Sequence, residues 1–268
     1  MRLIPFQKWK KWKITTFFLI SAIVALPTTF YALSYYTDII MFEKYGHLIS
    51  NRVVWSVDTD EKAVAFTFDD GPNEIYTPQL LDILARKELK ATFFLLGKNV
   101  EKHPEIVKRI HSEGHEIGNH SFNHSFLPLY SKSYIKRQIE STSTLIEETV
   151  GLTPSYFRPP IGIFTPSVLD AVSEGGMTTV VGEVYPRDPY KPGIDKIVKR
   201  VVNRIEPGSI IILHDGGTRG KIDRSQTIAA VSIIIDRLRD RGYRFLTVGE
   251  LIGLNGASSI SDPSVRKP

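Results

Sequence analysis

The sequence contains no cysteine, which excludes disulfide bonds and any metal site built on thiolates. A zinc ion in this protein must therefore be held by histidine, aspartate or glutamate. Internal repeats are also lacking. With 268 residues, 42% of them hydrophobic, the chain is nevertheless long enough to bury a full core, as one large domain or two small ones.

Acidic residues are absent from the first 37 positions, which hold five of the 34 basic residues and none of the 29 acidic ones. The excess of positive charge thus lies entirely in this segment, and the remainder of the chain is formally neutral. A neutral remainder offers no general polyanion-binding face, so we expect no nucleic-acid partner.

Residues 14–37 form an uncharged stretch that directly follows these basic residues. A helix needs roughly 20 apolar residues to cross a bilayer, and a basic flank keeps its own side in the cytoplasm. We predict a cytoplasmic tail over residues 1–13, a single transmembrane anchor over 14–37 and an extracellular catalytic part at the cell membrane. The alternative is a cleaved signal peptide and a secreted protein, although no clear small-x-small cleavage site is present.

The remaining chain alternates short apolar runs with amphipathic stretches. Residues 38–60 are expected to form a stalk or irregular layer, residues 61–254 the catalytic domain, and residues 255–268 a disordered tail. Strands are predicted at 63–68, 91–96, 115–118, 156–157, 178–181, 209–213 and 245–248, and helices at 78–87, 104–112, 133–150, 166–173, 194–205 and 227–239. This alternation predicts an α/β fold with a mostly parallel sheet, more in keeping with a barrel than with an open sheet.

Two adjacent carboxylates, Asp69 and Asp70, directly follow the first of these strands and precede Gly71-Pro72. Neighbouring side chains of a strand point to opposite faces unless the chain bends, and Gly-Pro supplies a bend. One carboxylate could then bind a cation while the other accepts a proton, as metal-assisted hydrolysis requires. Alone, the motif is equally typical of a turn with a solvated aspartate.

Two histidines four residues apart, His120 and His124, follow another predicted strand. On a helical turn both imidazoles would lie on one face and reach a single ion. With Asp70 added, they would give a three-ligand site with an open position, which is typical of a hydrolytic metal. Without the carboxylate, the pair could equally be a solvated helix face.

Three further segments carry polar residues at or just after strand ends. Arg158 precedes Pro159-Pro160, and Ile161 is the first residue after them with an N–H to donate to an oxyanion. Asp188 lies in a polar loop that alone indicates only a turn. His214 ends a run of large aliphatic residues just before Asp215 and two glycines, which favours a functional histidine over a core one.

Taken in order, these segments resemble the five motifs of the polysaccharide deacetylases, the NodB-homology group of carbohydrate esterase family 4. The matching segments are Thr67-Phe68-Asp69-Asp70-Gly71, His120-Ser121-x-x-His124, Arg158-Pro159-Pro160-x-Gly162, Asp188 and Ile212-Leu213-His214. The resemblance spans about residues 63–250. It implies a distorted (β/α) barrel that hydrolyses N-acetyl groups of cell-envelope glycans such as peptidoglycan or chitin-like oligomers, with release of acetate.

The resemblance also implies roles for individual residues. A divalent metal, usually zinc, would be bound by Asp70, His120 and His124, although cobalt, nickel or manganese would also suit these ligands. Asp69 would be the general base and His214 the general acid. The supporting residues and their implied roles are Arg158, which would orient Asp69; Asp188, which would pair with His214; Ile212, which would line the pocket for the acetyl methyl; and Ile161, whose amide would bind the oxyanion.

The sequence departs from the family pattern at two positions. Ile161 stands where the third motif usually has an aromatic residue, and Pro189 stands where the fourth often has tryptophan. Both changes bear on the pocket walls, and so on substrate preference more than on the reaction. Two alternatives remain open at this point: hydrolysis of a different amide or acyl group on the same scaffold, and a non-catalytic glycan-binding envelope protein.

Overall fold

The computed structural model describes residues 52–218 and 222–258. They contain eight β-strands: β1 (Val53–Val54), β2 (Ala63–Gly71), β3 (Thr92–Leu95), β4 (Glu116–Asn119), β5 (Tyr156–Phe157), β6 (Thr178–Val180), β7 (Ile210–His214) and β8 (Arg244–Leu246). The strands form one sheet in the order β1-β6-β5-β4-β3-β2-β7, and β8 also pairs with β2. Every pairing is parallel, which confirms the predicted α/β fold.

The two ends of this strand path contact each other. Val184, just after β6, forms a parallel bridge with Ile211 of β7, and Ser56, just after β1, forms an antiparallel bridge with Ser209. The sheet is therefore strongly curved, and the carboxyl ends of its strands are brought towards one another.

Eight α-helices accompany the strands in the described part of the chain: α1 (Tyr76–Arg86), α2 (Gly97–Lys102), α3 (Pro104–Ser112), α4 (Lys132–Val150), α5 (Pro166–Glu174), α6 (Ile194–Val202), α7 (Ser225–Asp240) and α8 (Val248–Ser258). The longest, α4, begins where the Ser131 side chain accepts a hydrogen bond from the Tyr134 N–H, and it ends at Gly151 in the left-handed conformation. Both are the residue types that these helix ends favour.

Strand β2 is the centre of the fold, because all nine of its residues are buried. Val64, Phe66 and Phe68 belong to the main core cluster together with residues of α1 and α7. Ala63 and Ala65 belong to a second cluster on the other face of the strand. This alternation assigns Thr67 and Asp69 to the face of the alanines, so Asp69 stands at the end of a rigid, fully packed strand.

Several elements were not predicted from the sequence. Strand β1 lies within the segment 38–60 that was expected to be a stalk, and helix α2 was missed. Helix α8 was also missed, and it extends as far as Ser258 into the segment expected to be disordered from residue 255. Among the described helices, none is long and apolar enough to cross a bilayer. The predicted anchor at 14–37 lies outside the described residues.

Candidate metal centre and active site

The site begins at a break in the regular geometry of β2. The pairing of β2 with β3 shifts register between Asp69 and Gly71, and Asp70 has a φ of 69°. In a regular strand the side chains of Asp69 and Asp70 would point to opposite faces of the sheet. A bulge of this kind redirects the side chain of the bulged residue, here Asp70. The bend expected between the two carboxylates is therefore present, and it includes Asp70 itself as well as the Gly71-Pro72 turn.

Asp70, His120 and His124 form a cluster in which one ligand atom of each lies within 4.8 Å of the others. Oδ1 of Asp70 lies 3.8 Å from Nε2 of His120 and 3.5 Å from Nε2 of His124. This oxygen is buried and has no hydrogen-bond partner, which is costly unless a cation satisfies it. Two imidazoles and one carboxylate are also the donor set of catalytic zinc sites. The residues present thus fit a divalent metal.

The orientation of His120 is fixed by the backbone. Its Nδ1 lies 2.7 Å from the carbonyl oxygen of Arg158, to which a protonated Nδ1 donates, leaving the lone pair of Nε2 for a ligand. Burial, assisted by the nearby His124, lowers the pKa of His120 to about 3. The imidazole is therefore neutral at neutral pH, which is the form that binds metals.

The histidine motif does not form the helical turn that the spacing suggested. It lies in the loop after β4, where Ser121 and His124 have φ values of 69° and 60°. The Ser121 N–H donates to Oδ1 of Asn119 at 2.8 Å, and the His124 N–H donates to Oγ of Ser121 at 3.1 Å. These hydrogen bonds compensate for the unusual backbone and direct both imidazoles to Asp70.

Arg158 is buried and holds Asp69. One of its terminal nitrogens donates to Oδ1 of Asp69 and to Oγ1 of Thr67, both at 2.6 Å. Its guanidinium carbon lies 4.0 Å from the centre of the Phe94 ring. Burial lowers the pKa of Arg158 from its usual value. The second oxygen of Asp69, Oδ2, lies 4.0 Å from Nε2 of His120 and so faces the candidate metal centre.

His214 ends β7 as the register partner of Asp69. Its Nδ1 lies 3.1 Å from Oδ1 of Asp188, while its backbone N–H donates to Oδ2 of the same carboxylate at 3.0 Å. The Thr227 hydroxyl also donates to Asp188. Burial lowers the pKa of His214, but Asp188, with a smaller contribution from Asp69 and Asp70, outweighs that effect and raises it above the usual value.

The two isoleucines singled out from the sequence have different environments. Ile212 is the register partner of Thr67, and a Cβ on Gly182 would come within 2.9 Å of its side chain, so the packing around Ile212 is tight. Ile161 lies in the loop after β5, is 62% exposed and has a φ of 63°. A positive φ is rare for a β-branched residue and indicates a strained position.

Asp215 and Thr77 support the site but were given no role from the sequence. Asp215 is fully buried, and its Oδ2 accepts a hydrogen bond of 2.5 Å from the Thr77 hydroxyl. Its N–H donates to the carbonyl of Asp69 at 3.3 Å, and a Cβ on Gly71 would lie only 2.7 Å from its oxygens. Asp215 therefore packs directly beneath the turn that carries both catalytic candidates. The feature of the sequence that could have revealed a role for Asp215 is its position directly after His214.

The arrangement combines three functions at one edge of the sheet. A carboxylate fixed by an arginine is a positioned proton acceptor, a histidine paired with an aspartate is a positioned proton donor, and the three-ligand cluster can hold a Lewis acid between them. Such a combination suits the hydrolysis of an amide or ester.

Comparisons with known proteins agree with this chemistry. A family model described as polysaccharide deacetylase matches residues 56–180. The chain is 43% identical over 202 residues to a peptidoglycan-N-acetylglucosamine deacetylase of Bacillus cereus, covering 75% of this chain and 92% of that protein. It is 37% identical over 199 residues to a chitooligosaccharide deacetylase of Sinorhizobium fredii, covering 72% and 93%. The crystal structure of the peptidoglycan N-acetylglucosamine deacetylase Bc1960 superposes with a TM-score of 0.74 at 33% identity, covering 78% and 96% of the two chains.

Proposed function

The chain belongs to the polysaccharide deacetylase family, and we propose that it hydrolyses N-acetyl groups of N-acetylglucosamine-type units in cell-envelope polysaccharide, with release of acetate. Peptidoglycan and chitin-like oligomers are the candidate substrates, because the similar proteins are named for those two glycans. Within the family, the enzymes are metal-dependent hydrolases of carbon-nitrogen bonds other than peptide bonds.

One observation carries the proposal. Oδ1 of Asp69 is held by Arg158, its Oδ2 faces the cluster of Asp70, His120 and His124, and its register partner is His214. A proton acceptor, a cation site and a proton donor thus surround one point. The non-catalytic alternative predicts that at least one of these groups is missing, and none is.

In this mechanism, a divalent cation held by Asp70, His120 and His124 would polarise the acetyl carbonyl and acidify the attacking water. Asp69 accepts the proton of that water through Oδ2, because Oδ1 is already bonded to Arg158. Arg158 also keeps Asp69 in a single orientation through the shared contact with Thr67. The general base is therefore already oriented when the substrate binds, so no further conformational entropy is lost in positioning it.

The departing sugar amine takes a proton from His214. Asp188 accepts from Nδ1 of that ring, so it orients the other nitrogen and stabilises the imidazolium form.

The Ile161 N–H donates to the developing oxyanion, and Ile212 lines the pocket for the acetyl methyl. Ile161 and Pro189 give this pocket walls that differ from the usual aromatic ones, so they are expected to influence which glycan fits.

We further propose that the bridges between the two sheet edges close the sheet into the distorted (β/α) barrel predicted from the sequence. Zinc is the proposed metal, since two histidines and one aspartate suit it best, with cobalt, nickel or manganese as substitutes. Residues 14–37 are proposed to anchor the protein in the cell membrane with the catalytic domain outside, where envelope glycans are found. Cleavage and secretion is the alternative.

Acetate release by the purified protein tests the proposal. N-acetylglucosamine oligomers and peptidoglycan are supplied with zinc, with a chelator, and with zinc beside an Asp69→Asn variant. Metal-dependent release that disappears in the variant is the expected result. An absence of release from both glycans, in protein shown to contain metal, would instead indicate another acyl substrate or a binding role.

A further inference from the structure

Tyr185 lies beside the proposed proton donor and has no role in the proposed mechanism. The centre of its ring is 5.8 Å from that of the His214 imidazole, and the two planes are inclined by 56°. Tyr185 directly follows Val184, which forms the bridge between the segment after β6 and β7. Its side chain is partly buried. A tyrosine in this position is a candidate for contact with the substrate.

The pairing of this segment with β7 determines which face of the sheet Tyr185 occupies. Val184 is the bridge partner of Ile211, and both belong to the main core cluster. Because successive side chains of an extended chain alternate, Tyr185 points to the other face, as Ile212 does on β7. The Ile212 N–H donates to the carbonyl of Val184 at 3.0 Å, which places Tyr185 beside Ile212. The face that they share is that of the proposed proton acceptor and proton donor.

The Tyr185 hydroxyl makes no hydrogen bond to any residue that the structure describes. Burial, followed by the negative charge of Asp188, raises the pKa of Tyr185 well above its usual value. The phenol is therefore protonated throughout the neutral and mildly alkaline pH range and acts there as a hydrogen-bond donor. Because this donor has no partner in the protein, a ligand binds it without breaking an existing hydrogen bond.

The neighbours of Tyr185 indicate which group of the substrate its hydroxyl meets. Ile212 is proposed to line the pocket for the acetyl methyl, and His214 is proposed to protonate the departing amine. Tyr185 thus lies against the residues proposed to contact the two ends of the amide. Between these ends, the acetamido group has one strong acceptor, its carbonyl oxygen. Negative charge builds on this oxygen when water attacks, so a donor already positioned there stabilises the transition state more than the bound substrate.

We propose that Tyr185 is a further catalytic residue, whose hydroxyl donates a hydrogen bond to the acetyl carbonyl oxygen as this oxygen becomes negatively charged. The inference rests on the proposed deacetylase function and adds a second protein donor to the N–H of Ile161. Tyr185 transfers no proton, so the departing amine still receives its proton from His214.

The variant Tyr185→Phe tests this role, because it removes only the hydroxyl and keeps the ring beside His214. In acetate release from an N-acetylglucosamine oligomer, kcat should fall by about 10- to 100-fold, as expected for the loss of one hydrogen bond to a charged group, while KM stays nearly unchanged. The melting temperature and the zinc affinity should equal those of the wild type, because the hydroxyl has no partner in the free protein.

Tyr156→Phe is the matched control. Tyr156 begins β5, so it lies at the opposite edge of the sheet from the proposed active site. Burial raises the pKa of Tyr156 as well, so the control removes a comparable phenol hydroxyl. This variant should keep the wild-type kcat.

Four results would overturn the inference. An unchanged kcat in Tyr185→Phe would show that the hydroxyl does not act on the substrate, and a loss confined to KM would show that it contributes to binding alone. A lower melting temperature or weaker zinc binding would assign the hydroxyl to the fold or to the metal centre. A shift of the alkaline limb of the kcat profile would show that Tyr185 acts through His214. Failure of the deacetylase function itself is distinct, because the wild type would then release no acetate.

Discussion

Asp69 and His214 are register partners on the adjacent parallel strands β2 and β7. The proposed proton acceptor and proton donor therefore owe their proximity to backbone pairing, and each is then turned by its own partner, Arg158 for Asp69 and Asp188 for His214. A shift of register by one residue would point one of the two side chains to the opposite face. The packed β2–β7 pair thus positions both groups of the proposed catalytic apparatus.

Replacing Asp69 by asparagine is expected to abolish most of the activity. Asparagine keeps the shape and the acceptor for Arg158 but does not take a proton, so kcat should fall by about 10²-fold or more. Metal content, measured by elemental analysis, should stay at the wild-type level because Asp70, His120 and His124 are unchanged. A variant that retains near-wild-type kcat would show that another group accepts the proton.

Replacing Arg158, the partner of Asp69 in their buried ion pair, is expected to destabilise the fold. Arg158→Leu leaves the Asp69 carboxylate without its partner inside the protein, and such losses cost about 3–5 kcal/mol in the free energy of unfolding. Urea denaturation of the purified variant measures this change.

The matched control for that prediction is the double variant Arg158→Leu with Asp69→Asn, compared with both single variants. Because the two side chains contact each other, the double variant should lose less stability than the sum of the two, by about 0.5–3 kcal/mol. Strict additivity would show that the pair contributes nothing beyond its separate residues.

The pH dependence of kcat/KM should reflect the ionisation of His214, which is paired with Asp188. The pKa of His214 is raised because Asp188, and more weakly Asp69 and Asp70, favour the imidazolium against the effect of burial. As a general acid, His214 is active below its pKa, so kcat/KM should fall on the alkaline side. The contribution of the pair to the free energy of unfolding changes in the same direction. It is full below the pKa of about 6.5 that the histidine has in the unfolded chain, and it is lost as the pH rises through the higher pKa of the folded protein.

Asp188→Asn removes the charge that raises this pKa, so the alkaline limb of the kcat/KM profile should move to lower pH. Thr227→Val is the control, since it removes a hydrogen bond to Asp188 but keeps the carboxylate. An alkaline limb that stays in place in Asp188→Asn would assign the ionisation to another group.

The sequence predicts the order of the elements and the location of the site because both depend on local patterns. The apolar run before Asp69 and the one before His214 are recognisable strands, and parallel strands place their carboxyl ends at one edge. That edge is where the five motifs are found. The features that failed, such as the helical turn expected for His120 and His124, depend instead on contacts between distant segments.

Backbone strain is the clearest example. Asp70, Ser121, His124, Ile161 and Arg187 all have positive φ, and each lies in or beside a motif. None of these residue types by itself predicts a positive φ. The conformation persists because the surrounding structure enforces it. The Thr77–Asp215 hydrogen bond joins residues 138 positions apart, so no local pattern reveals it.

Removing the metal is expected to lower the melting temperature. The unpaired Oδ1 of Asp70 and the two imidazoles form a pre-arranged site. A ligand that binds only the folded state adds about 2.7 kcal/mol of stability at a concentration 100 times its Kd. Thermal denaturation at increasing zinc concentration after chelation measures the effect. In His124→Ala, which lacks one ligand, the same titration should produce a much smaller shift, and an undiminished shift would place the ion elsewhere.

The substitution Ile161→Gly is expected to stabilise the protein and reduce its activity. Ile161 holds a φ of 63°, which is unfavourable for a β-branched residue by roughly 1–3 kcal/mol, and its side chain is 62% exposed, so little burial is lost on its removal. Glycine adopts this φ without strain but has more entropy to lose on folding, which leaves a net gain of about 1 kcal/mol in Ile161→Gly. Ile161→Ala is the control, because it removes the same pocket wall yet keeps a Cβ at positive φ. Both variants should lose kcat/KM for acetate release, but only the glycine variant should melt at a higher temperature, and equal melting temperatures would show that the loop relaxes without cost.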